Sequence, residues 1–363
     1  MDPALLRPLL RLLLTPGLSS AKAAVLLRAF GGDPERVLAA GRSAAAIPGI
    51  GPVVAAALAA GAASAEEADR EAGRAADRGV ALLGAGEEGY PRGLLHTFDP
   101  PPLLWVRGAW TPGDDLAAAV VGARRATPYG LVQAGRFGRE LARAGLTVVS
   151  GAARGVDTAA HRAALEVPGG RTAAVLGSGH ARPYPPENAG LLDAAAARGA
   201  VLSEFPLDAP PLPHHFPLRN RVIAGLAAAT VVVEAGEKSG SLGTARLAQD
   251  AGRPVFAIPG RVDAPGSRGV HRLIRENCAA LVEGPEEVLE ALDLPLPGAA
   301  EEALRAGGPA GSLLRALEGG ETLDADGLAR ASGLPVGEVR ALLVDLELDG
   351  AVLGLPGGLY ARR

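Results

Sequence analysis

Four segments of the chain combine glycine with a cation in a spacing suited to holding phosphate. The first is Val121-Gly122-Ala123-Arg124-Arg125. Gly122 lets the backbone approach a ligand, and Arg124, with Arg125 beside it, offers a bidentate contact. The second is Ser150-Gly151-Ala152-Ala153-Arg154-Gly155-Val156-Asp157. It repeats the order of strand, Gly, Arg and helix start, and Asp157 and Thr158 suit a helix cap. The third, Lys238-Ser239-Gly240-Ser241-Leu242-Gly243-Thr244, carries one of the two lysines in the sequence. Glycines and hydroxyls ahead of a helix make an anion cradle. The fourth is Phe216-Pro217-Leu218-Arg219-Asn220-Arg221. Here Phe216 either fills the core or stacks on a base, a contact worth about 1–3 kcal/mol. Arg219 and Arg221 either grip phosphate with Asn220 or form internal salt bridges to Glu204 or Glu234. None of the four fits G-x-G-x-x-G or the Walker lysine loop. One small ligand does not need four cradles, whereas a polyanion running along an edge would use them all. His161 and Asp157 are spaced i, i+4, which fits a plain helix contact or a catalytic pair; the helix contact is the reading adopted.

The elements that must position these segments follow from periodicity. Short apolar runs at Ala118–Gly122, Leu146–Gly151, Thr172–Gly177, Val201–Glu204, Thr230–Glu234 and Pro254–Pro259 alternate with helical stretches at Thr127–Ala144, Thr158–Leu165 and Asn188–Arg198. Continuous apolar strands alternating with helices predict an α/β fold, a Rossmann-like, doubly wound and mostly parallel sheet. Ligands of such sheets bind off the carboxyl ends of the strands, where all four segments are expected as cationic loops on one edge. Ahead of the sheet, Gly84–Gly108 contains Pro100-Pro101-Pro102 and reads as an extended lead-in with one strand.

Residues 1–65 read as short helices divided by Pro-Gly turns, with Ile47-Pro48-Gly49-Ile50-Gly51-Pro52 similar to a helix-hairpin-helix turn. That turn either contacts DNA or is a structural corner. Glu66–Arg78 predicts a charged connecting helix. The sheet domain is expected over 80–283, a Pro- and Gly-containing linker over 284–311, and a helix, helix, helix, hairpin unit, the winged-helix layout, over 312–363.

Charge separates these parts. The whole chain carries a formal −4. Between Ala118 and Val270, however, 17 Arg and Lys face 11 Asp and Glu, a balance of +6. Between Ala310 and Arg363, 5 basic residues face 8 acidic, a balance of −3. The centre therefore attracts an anion and the tail repels one. The third helix of the tail, Pro335–Asp349, carries Arg340 against Glu338, Asp345, Glu347 and Asp349, so a protein contact is expected there rather than DNA. Cys278 is the single cysteine, which excludes an intrachain disulfide or a multi-Cys metal site and suits a reducing compartment. Arg11 interrupts the apolar run Leu9–Leu14, so an amphipathic helix is expected there and no secretion signal. No stretch is long and apolar enough to span a membrane, and a cytoplasmic location is expected.

Tyr90-Pro91, Val121–Arg124, Ser150–His161, Ser203-Glu204, Arg219-Asn220-Arg221, Lys238–Ser241 and Pro259-Gly260 resemble the DprA/Smf signature in order and spacing. The likeness covers roughly residues 80–283. It implies a protein that binds single-stranded DNA, forms a homodimer through the Rossmann-like domain, and loads RecA past single-strand-binding protein during natural transformation. No catalysis, cofactor or metal is implied. The flanks agree with the helical, SAM-like and winged-helix domains of that family. Three places depart from the pattern. His271 replaces a small polar residue, Glu276-Asn277-Cys278 replaces a glycine-containing turn, and His214-His215 stand where a lysine would fit the pattern. Protonated histidines there would add charge below about pH 6.5.

Two rivals remain. Ser239–Leu247 is similar to the loop of nucleotide phosphoribohydrolases, but Leu247 stands where their catalytic Glu belongs, and an apolar side chain does no acid–base work. A duplex-DNA regulator acting through the winged helix conflicts with the acidic third helix.

Overall fold

The computed structural model describes residues 3–60, 63–294, 307–317, 322–348, 351–355 and 358–362. Residues 1–294 form one compact unit and 295–363 a second.

The first unit opens with helices α1 (Pro3–Leu13), α2 (Ser20–Ala29), α3 (Pro34–Ala40), α4 (Pro52–Ala59) and α5 (Ala65–Asp77). Ser64 and Glu67 cap α5 reciprocally: the Glu67 N–H donates to Ser64 Oγ at 3.1 Å and the Ser64 N–H to Glu67 Oε2 at 2.7 Å. The chain continues through β1 (Val80–Gly84), α6 (Arg92–Leu95), β2 (Leu103–Gly108), β3 (Ala117–Val121), α7 (Pro128–Arg143), β4 (Thr147–Ser150) and α8 (Val156–Glu166). It then runs through β5 (Thr172–Val175), α9 (Ala189–Arg198), β6 (Ala200–Ser203), α10 (His215–Leu226), β7 (Ala229–Val232) and α11 (Ser241–Asp250). β8 (Val255–Ala257), α12 (Arg268–Arg275), β9 (Ala280–Leu281) and α13 (Pro285–Ala291) complete it.

Nine strands make one sheet in the order β1-β2-β6-β5-β4-β3-β7-β8-β9. β3 to β9 are parallel, and the β1–β2 hairpin adds antiparallel to β6. Every residue of β3, β4 and β7 is buried, as a strand with helices on both faces requires. Successive strands step outward from β3 through β4, β5 and β6, then return to its other side at β7. The crevice between β3 and β7 is therefore the topological switch point, the usual ligand site of such sheets. Helices α7 and α8 approach closely because a Cβ on Gly138 would stand 2.5 Å from the Ala160 carbonyl oxygen; no other residue fits that contact.

The helical N-terminal segment shares a core with the sheet. Leu10, Leu12, Leu26 and Val54 pack in one cluster with Val80, Leu103 and Trp105. Buried Glu71 of α5 accepts the Trp105 indole N–H at 3.1 Å and the Leu207 N–H at 2.7 Å. The charged connecting helix expected at Glu66–Arg78 is thus an integral wall, with Ala68, Glu71 and Ala75 buried.

The second unit contains α14 (Gly308–Ala316), β10 (Thr322–Asp324), α15 (Ala325–Ser332), α16 (Val336–Leu348), β11 (Val352–Leu355) and β12 (Leu359–Arg362). Its sheet has the order β10-β12-β11. Leu313, Leu314, Leu328, Val339, Leu343 and Leu346 form its core, and the Gly327 N–H donates to Asp324 Oδ1 at 2.7 Å to cap α15. This is the expected α/β sheet with a C-terminal winged helix. Residues 295–306 of the expected linker and the hairpin residues Asp349, Gly350 and Gly357 lie outside the described residues. β1, β9, β10, α12 and α13 are elements that periodicity did not predict.

Candidate nucleic-acid interface

The expected edge is built from the carboxyl ends of β3, β4, β5 and β7. Gly122 follows β3, and a Cβ there would stand 2.7 Å from Val156 Cγ2 and 3.0 Å from the Glu234 carbonyl oxygen. The Val156 N–H donates to the Ala123 carbonyl at 3.2 Å, so the loops after β3 and β4 lie backbone to backbone. Glu234, buried at the end of β7, accepts the N–H and the hydroxyl of Thr127 at 3.1 and 2.8 Å and so fixes the start of α7. Arg124 and Arg125 project from this frame into solvent.

The loop after β4 is held from below. Asp157 Oδ2 accepts the N–H groups of Gly151 at 3.1 Å and Ala153 at 3.2 Å. Asn188 Nδ2 donates to the Ala152 carbonyl at 2.9 Å, and the Ser150 hydroxyl to the Val120 carbonyl at 2.6 Å. These ties keep Ala152 at φ +51°, a left-handed conformation costly outside glycine. Burial pushes the Asp157 carboxyl up, opposed by Arg219 and the loop amides. Asp157 is thus a loop anchor and its two amides are already used. His161 is fully buried, with Nδ1 2.6 Å from the Thr172 hydroxyl. Burial, with the Arg219 charge beside it, takes its pKa down to about 4. A group so enclosed is a packing residue, and its partner is Thr172 rather than Asp157, one turn away on the same helix.

Two expectations are corrected. Arg219 and Arg221, expected on a loop and open to phosphate, lie on α10 and turn inward. Arg219 is 4% exposed. Its Nη1 donates to the Gly151 carbonyl at 2.8 Å and to the Val175 carbonyl. Burial draws its pKa down to about 10, Asp157 opposing and Arg124 reinforcing. Arg221, its side chain 11% exposed, pairs with Glu204 and with Asp99 and donates to the Asp99 carbonyl. Its Nη2 also lies 3.4 Å from Ser20 Oγ of α2. Glu204 is one of the two internal partners expected from sequence; Glu234 serves α7 instead. Asn220 Nδ2 donates to the Gly240 carbonyl at 3.3 Å, tying α10 to the Lys238-Ser239-Gly240 loop. In that loop Ser239 Oγ and Ser241 Oγ are 2.8 Å apart, Ser241 is buried and Lys238 exposed.

Phe216 stands in the first turn of α10, half-buried, its ring edge against Gly177 at the end of β5, where a Cβ would meet Phe216 Cδ1 at 2.8 Å. The Arg124 guanidinium lies 4.8 Å above its centroid. A residue that sequence reasoning missed completes the group. Tyr184 meets Phe216 edge to face, with centroids 5.8 Å apart and planes at 62°. Arg154 covers Tyr184 at 5.5 Å, donates to its hydroxyl at 3.2 Å, and pairs with Glu187. The available signal was Arg182-Pro183-Tyr184-Pro185-Pro186, an aromatic between prolines after a strand that ends on the same edge. Among the described residues, Arg124, Arg125 and Lys238 have no carboxylate partner. His271, which departs from the family pattern, is a loop clamp, its Nε2 3.0 Å from the Gly260 carbonyl oxygen. Among the described residues no group of three or more His, Cys, Asp or Glu could hold a metal, and no helix is long and apolar enough to cross a membrane.

The family described as DNA recombination-mediator protein A matches residues 81–293, and the DprA winged helix domain matches 297–358. Protein Smf of Escherichia coli strain K12 is 44% identical over 291 residues, covering 77% of this chain and 77% of that protein. The X-ray structure of DNA processing protein A from Streptococcus pneumoniae superposes with a TM-score of 0.67 at 34% identity, over 78% of this chain and 97% of that one. DNA processing protein A from Helicobacter pylori, whose structure is described as giving insight into a unique single-stranded DNA binding mode, superposes with a TM-score of 0.53 at 31% identity, over 60% of this chain and 97% of that one. The family match over most of the chain and these relatives show that the chain belongs to the DNA recombination-mediator protein A family.

Proposed function

We propose that the strand-end edge binds single-stranded DNA, and that the protein hands this strand to RecA past single-strand-binding protein during natural transformation. The observation that carries the reading is three exposed cations without carboxylate partners among the described residues, Arg124 and Arg125 after β3 and Lys238 after β7, with Arg124 over Phe216 and Phe216 edge to face with Tyr184. Cations supply phosphate attraction without regard to sequence, and aromatic faces accept any base. Gly122 and the Ser239–Ser241 loop bring backbone close to the strand, while Ser150, Gly151, Arg219 and Asn220 set the frame. The single-stranded DNA binding mode of the Helicobacter pylori protein supports the same ligand. The role is binding and transfer rather than turnover: Leu247 packs against the core, which disfavours the phosphoribohydrolase alternative. A homodimer through the Rossmann-like domain and a cytoplasmic setting belong to this reading.

The winged helix is assigned to protein contact. Glu338, Asp345 and Glu347 are exposed on α16, with Arg340, so the helix repels phosphate. Salt-dependent binding of the full chain to labelled oligothymidine and to duplex DNA tests the proposal. Salt-sensitive preference for the single strand is expected; equal or tighter duplex binding overturns it.

A further inference from the structure

We infer that Tyr184 forms a second base subsite next to Phe216, and that the angle between the two rings makes the site selective for a strand whose neighbouring bases are unstacked. The inference rests on the single-stranded reading and deepens it. Each ring has its own guanidinium, Arg124 at 4.8 Å from Phe216 and Arg154 at 5.5 Å from Tyr184. The unit of aromatic plus arginine is therefore present twice, with the rings only 5.8 Å apart. A base on an aromatic face is worth more than an exposed cation over the same face. A base can thus replace the guanidinium above each ring, and the displaced guanidinium is left beside the adjacent phosphate. Each unit takes one nucleotide, base to ring and phosphate to arginine.

The ring planes meet at 62°. Bases stacked in a helix lie parallel, about 3.4 Å apart along the strand. Two neighbours that each follow one ring cannot remain parallel, so the step between them opens. A duplex would have to break pairing and stacking to enter, while a single strand gives up one stack. The geometry is held from behind by Gly177, against which the edge of the Phe216 ring rests.

The test uses the full chain, oligothymidine, and an abasic deoxyribose-phosphate strand of the same length. Wild type is expected to prefer oligothymidine. Tyr184→Ala should weaken oligothymidine binding by roughly 5- to 150-fold, the range of one lost stack, with little change on the abasic strand and an unaltered salt slope; Tyr184→Phe should retain binding. Wild-type affinity for both strands being equal, or Tyr184→Ala losing equally on both, overturns the base subsite. A strand of 2-aminopurines adds a readout that needs no variant: its exciton circular-dichroism band should fall on saturation, and an undiminished band overturns the unstacking. If wild type shows no salt-dependent affinity for either strand, the single-stranded reading fails first and takes the subsite with it.

Discussion

Arg124→Ala isolates the electrostatic argument in one side chain. The residue is exposed and makes no ion pair among the described residues, so truncation leaves the frame around Gly122 intact. If Arg124, Arg125 and Lys238 each neutralise one phosphate, the logarithm of affinity falls with the logarithm of salt at a slope of about −2, at roughly 0.7 per phosphate on a single strand. Wild-type affinity then drops roughly 20-fold between about 50 and 200 mM salt, and the variant's roughly 7-fold. Arg124→Lys should restore the slope but not the full affinity, because a lysine ammonium lacks the planar fork that lies over Phe216. Fluorescence anisotropy with labelled oligothymidine across a salt series measures both quantities. An Arg124→Ala slope equal to wild type refutes the reasoning. So does an equal change in Arg340→Ala, a cation on α16 of the second unit.

Three further outcomes follow from the geometry. Glu187→Gln releases Arg154 from its carboxylate and should tighten oligothymidine binding severalfold at low salt while steepening the slope by about 0.7; an unchanged slope would mean that Arg154 does not reach phosphate. The rings of His161 and His180 should titrate by NMR only near pH 4, since burial lowers both to about 4. With unfolded values near 6.5, their protonation favours the unfolded chain as pH falls from 6.5 towards 4, on the order of 3 kcal/mol for each. Asp157 and Glu204, raised by burial, oppose this on acidification, so the ring titration is the cleaner measurement, and midpoints above 6 would contradict it. Finally, deleting residues 295–363 should leave oligothymidine affinity within about twofold, given the acidic exposed face of α16; a large loss would assign DNA contact to the tail.

The parallel strands were legible because their apolar runs are short, continuous and wholly buried. β9 was not, being two exposed residues that pairing to β8 alone defines. The loops after β3 and β4 were legible since the strand–Gly–Arg–helix order is local. The direction of a side chain on α10 is not local. Phe216-Pro217 looks like a turn, yet proline is tolerated in a helix's first turn, and Arg219 then points at the Gly151 loop rather than at solvent. Tyr184 was missed because its meaning depends on Phe216, 32 positions later and brought beside it by β5 and α10.

The shared core between α1–α5 and the β1–β2 hairpin has a consequence for how the chain divides. Trp105 is fully buried and its indole donates to Glu71. Trimming the chain back to the sheet would bare that ring, orphan its N–H and remove the helical support from Leu103. The family's matched segment, 81–293, therefore leaves out part of the core that it shares with α1–α5 in this protein. The helices before it act as a keel, and through Arg221 and Ser20 they reach as far as α10, the helix that carries Phe216 of the proposed site.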